Sequence, residues 1–293
     1  NSRRGASSHY HNPFAALVTS ETTEESGMAV GMSLIYSGNF DITADVDAFG
    51  LTRLMAGISP DGFEWHLDPG AEFVTPEAVI VLSGEGLGKM SRVYHKLYRK
   101  HLCRGEWADK ERPILVNNWE ATYFNFDDEK LVAIAEDAAK CGIEMLVMDD
   151  GWFGIRNDDR SSLGDWFVNE DKIRCGLGKL VEKVNALGLK FGIWFEPEMI
   201  SPVSKLYEAH PEWFAEIDGK HNLFRDYEYL ARGYWTGDFI CTSNEDATDE
   251  FVKLIVGALA EGEFRDASKF KLYTLDNGTW CECEKCQKKM KSP

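Results

Sequence analysis

From Pro113 onward, short apolar runs alternate with amphipathic stretches, and this restricts the fold more than any other feature of the chain. Ile114-Leu-Val-Asn, Met145-Leu-Val-Met and Lys190-Phe-Gly-Ile-Trp-Phe read as short strands. Between them lie two helical stripes: Leu131, Ile134, Ala135 and Ala138, then Leu177, Leu180, Val181, Val184 and Leu187. Asp127 or Asp128 is placed to cap the first helix, and Gly142 and Gly188 to stop the two. Apolar strands joined by helices predict a parallel sheet covered by those helices, because β-α-β crossovers are right-handed and lay them on its faces. Farther on, Phe239-Ile240-Cys241, residues 246–261 and residues 270–275 predict a strand, a helix and a strand. A complete (β/α)8 barrel takes about 250 residues and only about 180 follow Pro113, so residues 113–293 are expected to form part of one.

Residues 1–85 carry a different pattern. Two short strands flank the turn signal Ser37-Gly38-Asn39, and Thr52–Ile58 and residues 78–82 are further strands bounded by Pro60-Asp61-Gly62 and Pro69-Gly70. Residues 86–112 form a connector, in which Met90, Val93, Tyr94, Leu97 and His101 share one helical stripe. The fold class expected is α/β: a partial (β/α)8 TIM-type barrel preceded by the end of an antiparallel β-sandwich.

Charge narrows the partners. With 32 Lys+Arg against 49 Asp+Glu the net charge is −17, and no block of basic residues offers phosphates a counter-charge, so nucleic acid is not expected. No stretch approaches the ~18 apolar residues of a membrane span, and residues 1–20 hold no apolar core of a signal peptide. Seven cysteines, an odd number in a chain this long, point away from a disulfide framework and toward a reducing, cytoplasmic setting.

Each clear strand runs into carboxylates and aromatics: Asn117-Asn-Trp-Glu-Ala-Thr-Tyr-Phe, then Asp149-Asp-Gly-Trp-Phe, then Glu196-Pro-Glu-Met. In a parallel barrel these segments converge at the C-terminal mouth, where active sites are built. Asp149 and Asp150 lie far from the next helix, so capping does not account for them. Carboxylates beside indole rings suit a sugar, whose hydroxyls donate to ionised oxygens while its C–H face packs on the ring. The same carboxylates suit a divalent cation, whereas zinc is disfavoured because the loops hold no His.

Ser2-Arg-Arg-Gly-Ala-Ser-Ser-His, Asn117-Asn-Trp-Glu-Ala-Thr-Tyr-Phe, Met148-Asp-Asp-Gly-Trp-Phe, Ser162-Leu-Gly-Asp-Trp and Lys190-Phe-Gly-Ile-Trp-Phe-Glu-Pro-Glu-Met resemble the bacterial α-galactosidases of glycoside hydrolase family 36. The likeness extends from residue 1 to about Phe214. It implies a β-supersandwich leading into a catalytic barrel, retaining hydrolysis of terminal α-galactose from oligosaccharides, no metal or other cofactor, and a homo-oligomer. By motif it implies that Asp149 and Asp150 hold galactose hydroxyls, that Trp119 and Trp194 line the pocket, and that Glu196 and Glu198 sit beside it. The family's nucleophile follows the fourth barrel strand in a Lys-Trp-Asp-Met-Asn-like motif. The nearest equivalent is Lys271-Leu-Tyr-Thr-Leu-Asp-Asn, which nominates Asp276, although Asp276-Asn277-Gly278 also has the composition of a plain turn. No residue of this chain is nominated as the acid/base.

From Asp238-Phe-Ile-Cys-Thr-Ser-Asn to Trp280-Cys-Glu-Cys-Glu-Lys-Cys the chain instead resembles an uncharacterised bacterial family of carbohydrate-associated barrel proteins. Cys281, Cys283 and Cys286 form C-x-C-x2-C, three ligands of a metal knuckle without a fourth, and the plainer expectation is a Lys-rich exposed end with free thiols. The function expected is an α-galactosidase impaired by the short chain. The rivals are a non-catalytic galactose-binding remnant, an α-N-acetylgalactosaminidase, and a metal-dependent module built on the three cysteines.

Overall fold

The computed structural model describes the chain except residues 4–6, 8–9, 106, 160, 197–198, 202, 217–218, 220–237, 261–268, 273–280, 282 and 292–293. Asn1–Arg112 and Pro113–Met290 pack as two compact units.

The first unit holds two antiparallel sheets. Strands β1 (Phe14–Val18), β2 (Ala29–Ile35) and β5 (Glu77–Ser83) form one, with β2 central; β3 (Phe40–Val46) and β4 (Thr52–Ile58) form the other. The turn signal at Ser37-Gly38-Asn39 therefore does not close a hairpin, because β2 and β3 belong to different sheets. Each has its own partner in register, Gly31 opposite both Ala16 and Val81, and Phe40 opposite Ile58. A turn composition sets a change of direction, whereas pairing is decided by which apolar faces meet. Strand β1 is a further difference, since residues 14–18 carry no turn-bounded alternation.

Helix α1 (Gly86–Leu97) continues as a π-helical turn over Tyr98–Leu102 and packs on the first sheet. Its buried face is Met90 and Tyr94 against Ala29 and Val81, and the Tyr94 hydroxyl donates to the Val79 carbonyl at 3.0 Å. Val93 and His101, placed on the same stripe by spacing, are exposed. No side chain caps this helix. Its first N–H groups donate to the Thr23 and Glu24 carbonyls instead, a close approach that leaves no room for a Cβ at Gly86 or Gly88.

The second unit is built on a parallel sheet of β6 (Leu115–Asn117), β7 (Met145–Met148), β8 (Lys190–Phe195) and β11 (Lys269–Leu272), neighbours in chain order. A short helix α2 (Trp119–Thr122) follows β6, α3 (Asp128–Lys140) lies in the crossover from β6 to β7, and α4 (Leu177–Ala186) in that from β7 to β8. Asp127 caps α3 by accepting from the Lys130 N–H at 2.9 Å, and Gly142 and Gly188 follow the helix ends with φ of 78° and 86°. Leu131, Ala135 and Ala138 of α3 and Leu177, Leu180, Val181 and Val184 of α4 are buried in one core with Leu146, Met148, Phe191 and Ile193.

Beyond β8 lie β9 (Met199–Ile200), α5 (Lys205–Ala209), β10 (Asp238–Phe239, antiparallel to β9), α6 (Glu245–Ala260) and, last, α7 (Glu284–Lys291). The tail therefore contributes its strand beside β8. Among the described residues no helix is long and apolar enough to cross a membrane.

Candidate functional site

Register brings the post-strand residues together. Asn117 pairs with Val147, Val147 with Gly192, and Met148 with Ile193. Side chains alternate along a strand, so Asn117, Val147 and Gly192 share a face. Trp194, two residues on in β8, shares that face, and Asp149 follows directly on the C-terminal end of β7. Asn117 Nδ2 indeed donates to Asp149 Oδ2, and Asn117 Oδ1 accepts from the Trp119 N–H at 2.7 Å. Asn118, wholly buried, accepts the Asp149 N–H on Oδ1 at 2.8 Å. The double Asn of the first loop thus orients the carboxylate of the second.

Asp149 is 9% exposed and Asp150 only 2%. Asp150 is held by a residue that no sequence signal had singled out: Arg156 Nε donates to Oδ1 at 2.9 Å and Nη2 to Oδ2 at 2.7 Å. The guanidinium is itself completely buried, and its Nη1 donates to the Ser161 carbonyl at 2.9 Å. Burial pushes the Asp150 carboxyl above its usual range, with Arg156 pulling the other way. Each Asp150 oxygen still has acceptor capacity after the fork is satisfied.

Lys172 is a second element without a sequence signal. Its ammonium donates to the carbonyls of Phe124 at 2.8 Å, Gly151 at 2.9 Å and Arg156 at 3.0 Å, fastening the loop after β6 to the loop after β7. Burial pushes it down to about 8.

Trp119 is half-buried and edge-on to Tyr123 and Phe124, with ring centroids 5.2 and 5.0 Å away. Trp194 is 5% exposed and stacks 6.3 Å from Phe153 in a group with Trp152, Phe195 and the half-buried Trp166. Its carbonyl accepts the Trp152 indole N–H at 2.9 Å. Glu196 is buried at 5% exposure. Glu198 and Asp276 lie outside the described residues.

The Ser162-Leu-Gly-Asp-Trp motif has a local role. Ser162 Oγ accepts the Ile155 N–H at 2.9 Å, and Asp165 accepts the Lys205 and Leu206 N–H groups at the start of α5. A cavity of about 700 Å³ opens beside this motif, between α5, Trp213 and the start of α6, and none of the expected sugar contacts lines it. The chemistry-bearing carboxylates and this cavity are separate features. The carboxylates are fixed by hydrogen bonds, whereas the cavity is lined by charges of both signs, Lys205 and Lys253 with Asp246 and Glu250.

Lys285 and Lys288 of the tail are exposed as expected, but its cysteines turn inward. Cys281 is 7% exposed and Cys241 6%, and Cys283 and Cys286 are half-buried beside them. The fourth sulfur missing from the local motif comes from Cys241, after β10.

A parallel sheet with hydrogen-bonded carboxylates at its C-terminal ends and helices in its crossovers is the architecture of an α/β protein. Residues 72–236 match the Melibiase family model, residues 1–68 the glycosyl hydrolase family 36 N-terminal domain, and residues 195–293 a domain of unknown function (DUF4838). The chain belongs to glycoside hydrolase family 36. It is similar to alpha-galactosidase AgaA of Geobacillus stearothermophilus, 50% identical over 265 residues that cover 88% of this chain and 34% of that protein. It is also similar to alpha-galactosidase Mel36A of Lactobacillus acidophilus, 50% identical over 219 residues covering 75% and 30%. The crystal structure of AgaA superposes with a TM-score of 0.79 at 48% identity, covering 92% of this chain and 36% of that one. That of the Lactobacillus brevis alpha-galactosidase gives 0.81 at 36% identity, covering 99% and 38%. The chain spans about a third of the length of these relatives.

Proposed function

We propose that the chain carries the galactose-binding half of a retaining α-galactosidase, acting on terminal α-galactosyl residues of oligosaccharides. The observation that carries this reading is the hydrogen-bonded meeting of Asn117 and Asp149 at the C-terminal end of the parallel sheet, with the adjacent Asp150 clamped by Arg156. In this reading the parallel sheet is the first half of a (β/α)8 barrel, and the antiparallel sheets of residues 1–85 end a sandwich. The relatives support the substrate class, since AgaA variants have been crystallised with stachyose and with raffinose.

Asp149 and Asp150 accept bonds from galactose hydroxyls, and Trp119 and Trp194 contribute apolar ring surface. Asp276 attacks the anomeric carbon as the glycosidic C–O bond breaks, giving a galactosyl-enzyme that water then hydrolyses. The proton for the leaving oxygen comes from an acid/base residue that the resemblance does not carry onto this chain. Seven cysteines outside any disulfide fit a cytoplasmic, reducing setting. Self-association belongs to the same reading, and the exposed Phe49 and Leu51 between β3 and β4 offer apolar surface for it.

Release of 4-nitrophenol from its α-galactoside tests the proposal, since this leaving group needs little general-acid help. Release by the parent and none by Asp276→Asn supports the nucleophile, and equal release by both refutes it. The match of residues 195–293 to a domain of unknown function favours a second reading, galactose binding without hydrolysis. Calorimetric affinity for galactose that is lost in Asp149→Ala and kept in Asp276→Asn, with no 4-nitrophenol released, selects that reading. Silence in both assays from folded protein sinks both.

A further inference from the structure

Four cysteine sulfurs meet in the second unit. The Sγ atoms of Cys241, Cys281, Cys283 and Cys286 all lie within 4.8 Å of one another. Cys241 Sγ is 3.7 Å from Cys283 Sγ and 3.6 Å from Cys286 Sγ, across chain separations of 42 and 45 residues. A disulfide draws its sulfurs to about 2 Å, so neither pair is bonded. The four ligands of a tetrahedral zinc at ~2.3 Å stand about 3.8 Å apart along each edge, which is the spacing of these pairs.

The surroundings fit thiolates. The Cys286 N–H donates to Cys283 Sγ at 3.4 Å and the Glu216 N–H donates to Cys281 Sγ at 3.2 Å. Backbone donors of this kind spread the negative charge that four metal-bound thiolates accumulate. Ser243 Oγ lies 3.1 Å from Cys286 Sγ. The C-x-C-x2-C segment alone supplies three ligands from one turn, with Cys286 on α7. Cys241 is delivered by the backbone, its N–H donating to the Trp213 carbonyl at 2.9 Å beside the bridge between Phe214 and Ile240. Two of the four sulfurs belong to buried residues of the main core, so the cluster is built into the fold.

We propose that Cys241, Cys281, Cys283 and Cys286 form a closed tetrathiolate site for zinc. The ion ties α7 and the segment at Cys281 to the chain after β10, and no position is left for substrate, so its role is structural. The site is independent of the galactoside reading.

Metal analysis of the full chain, purified from zinc-supplemented culture without chelator, tests this. About one zinc per chain is expected, falling below about a tenth in Cys241→Ser and unchanged in Cys103→Ser, whose thiol is exposed and outside the cluster. Should Cys241→Ser fail to fold, two measurements on the parent decide. Exchange with cobalt should give thiolate-to-cobalt charge transfer and the intense visible bands of a tetrahedral site. A thiol reagent should find only Cys103, Cys141 and Cys175 in the loaded protein and all seven cysteines after chelation and unfolding. Zinc below about a tenth of an equivalent without cobalt bands, a full equivalent kept by folded Cys241→Ser, or seven thiols equally reactive in the loaded protein would each overturn it.

Discussion

Replacing Arg156 by Met leaves Asp150 in place without its hydrogen-bonded counter-charge. Asp150 is 2% exposed and receives both of its charge-assisted side-chain bonds from this one guanidinium, which is itself fully buried. Removing one partner of such a pair costs about 3–5 kcal/mol, because the remaining charge stays desolvated. The Ser161 carbonyl also loses its donor, at 2.9 Å in the parent, which places the expected loss at the upper end of that range. Urea denaturation followed by tryptophan fluorescence reads this out at pH 7.

The pH dependence has a definite sign. Without Arg156, burial and the neighbouring Asp149 charge outweigh the remaining Gly151 backbone hydrogen bond and raise the folded pKa of Asp150 further above the unfolded value. The folded variant then binds the extra proton, so its stability rises as pH falls, by up to about 1.4 kcal/mol per pH unit. The deficit of Arg156→Met should therefore be largest at pH 7 and shrink toward pH 5. In the double variant Asp150→Leu/Arg156→Met neither charge remains buried, and most of the loss should return, to within about 1 kcal/mol of the parent. A single-variant loss below about 1 kcal/mol, a deficit independent of pH, or a double variant as unstable as the sum of its singles would refute the reasoning.

Three other substitutions follow from the geometry. Lys172→Met should cost about 3 kcal/mol at pH 7 by leaving three carbonyls without their donor. The parent ammonium sits at about 8 in the fold against 10.5 outside it, so the unfolded chain binds more protons between these values. The parent's stability then gains on the variant as pH rises through that window, and parallel pH profiles would count against it. Gly154→Ala combines a φ of +50° with a Cβ only 2.8 Å from Ser162, and a loss of about 1–3 kcal/mol is expected in denaturation midpoints. Gly31→Val crowds Met90 Sδ and Tyr94, 2.7 and 2.9 Å from the new Cβ, and should loosen α1 from β2 by about 2 kcal/mol; an unchanged midpoint would mean that the packing is slack.

Much of the second unit was legible from local signals. The 3.6-residue stripes located α3 and α4, Asp127 and the two glycines marked their ends, and the apolar runs before, between and after them gave three parallel strands. These features depend on residues a few positions apart, and a chain read in order displays them. Because the loop after β7 begins where the strand stops, the meeting of Asp149 with Asn117 of the neighbouring strand also followed from pattern.

What the sequence did not contain was any pairing between distant residues. The turn at Ser37-Gly38-Asn39 announced a reversal without saying that β2 and β3 would part into different sheets. Arg156 and Lys172 stood in the chain as two basic residues among 32, and only burial gave each its partners. Cys241 looked like an isolated cysteine because its partners lie 40 and more residues away. Composition and period report what each segment must bury. Which buried charge, carbonyl or sulfur meets which is decided when the segments pack and every desolvated polar group has to find a partner.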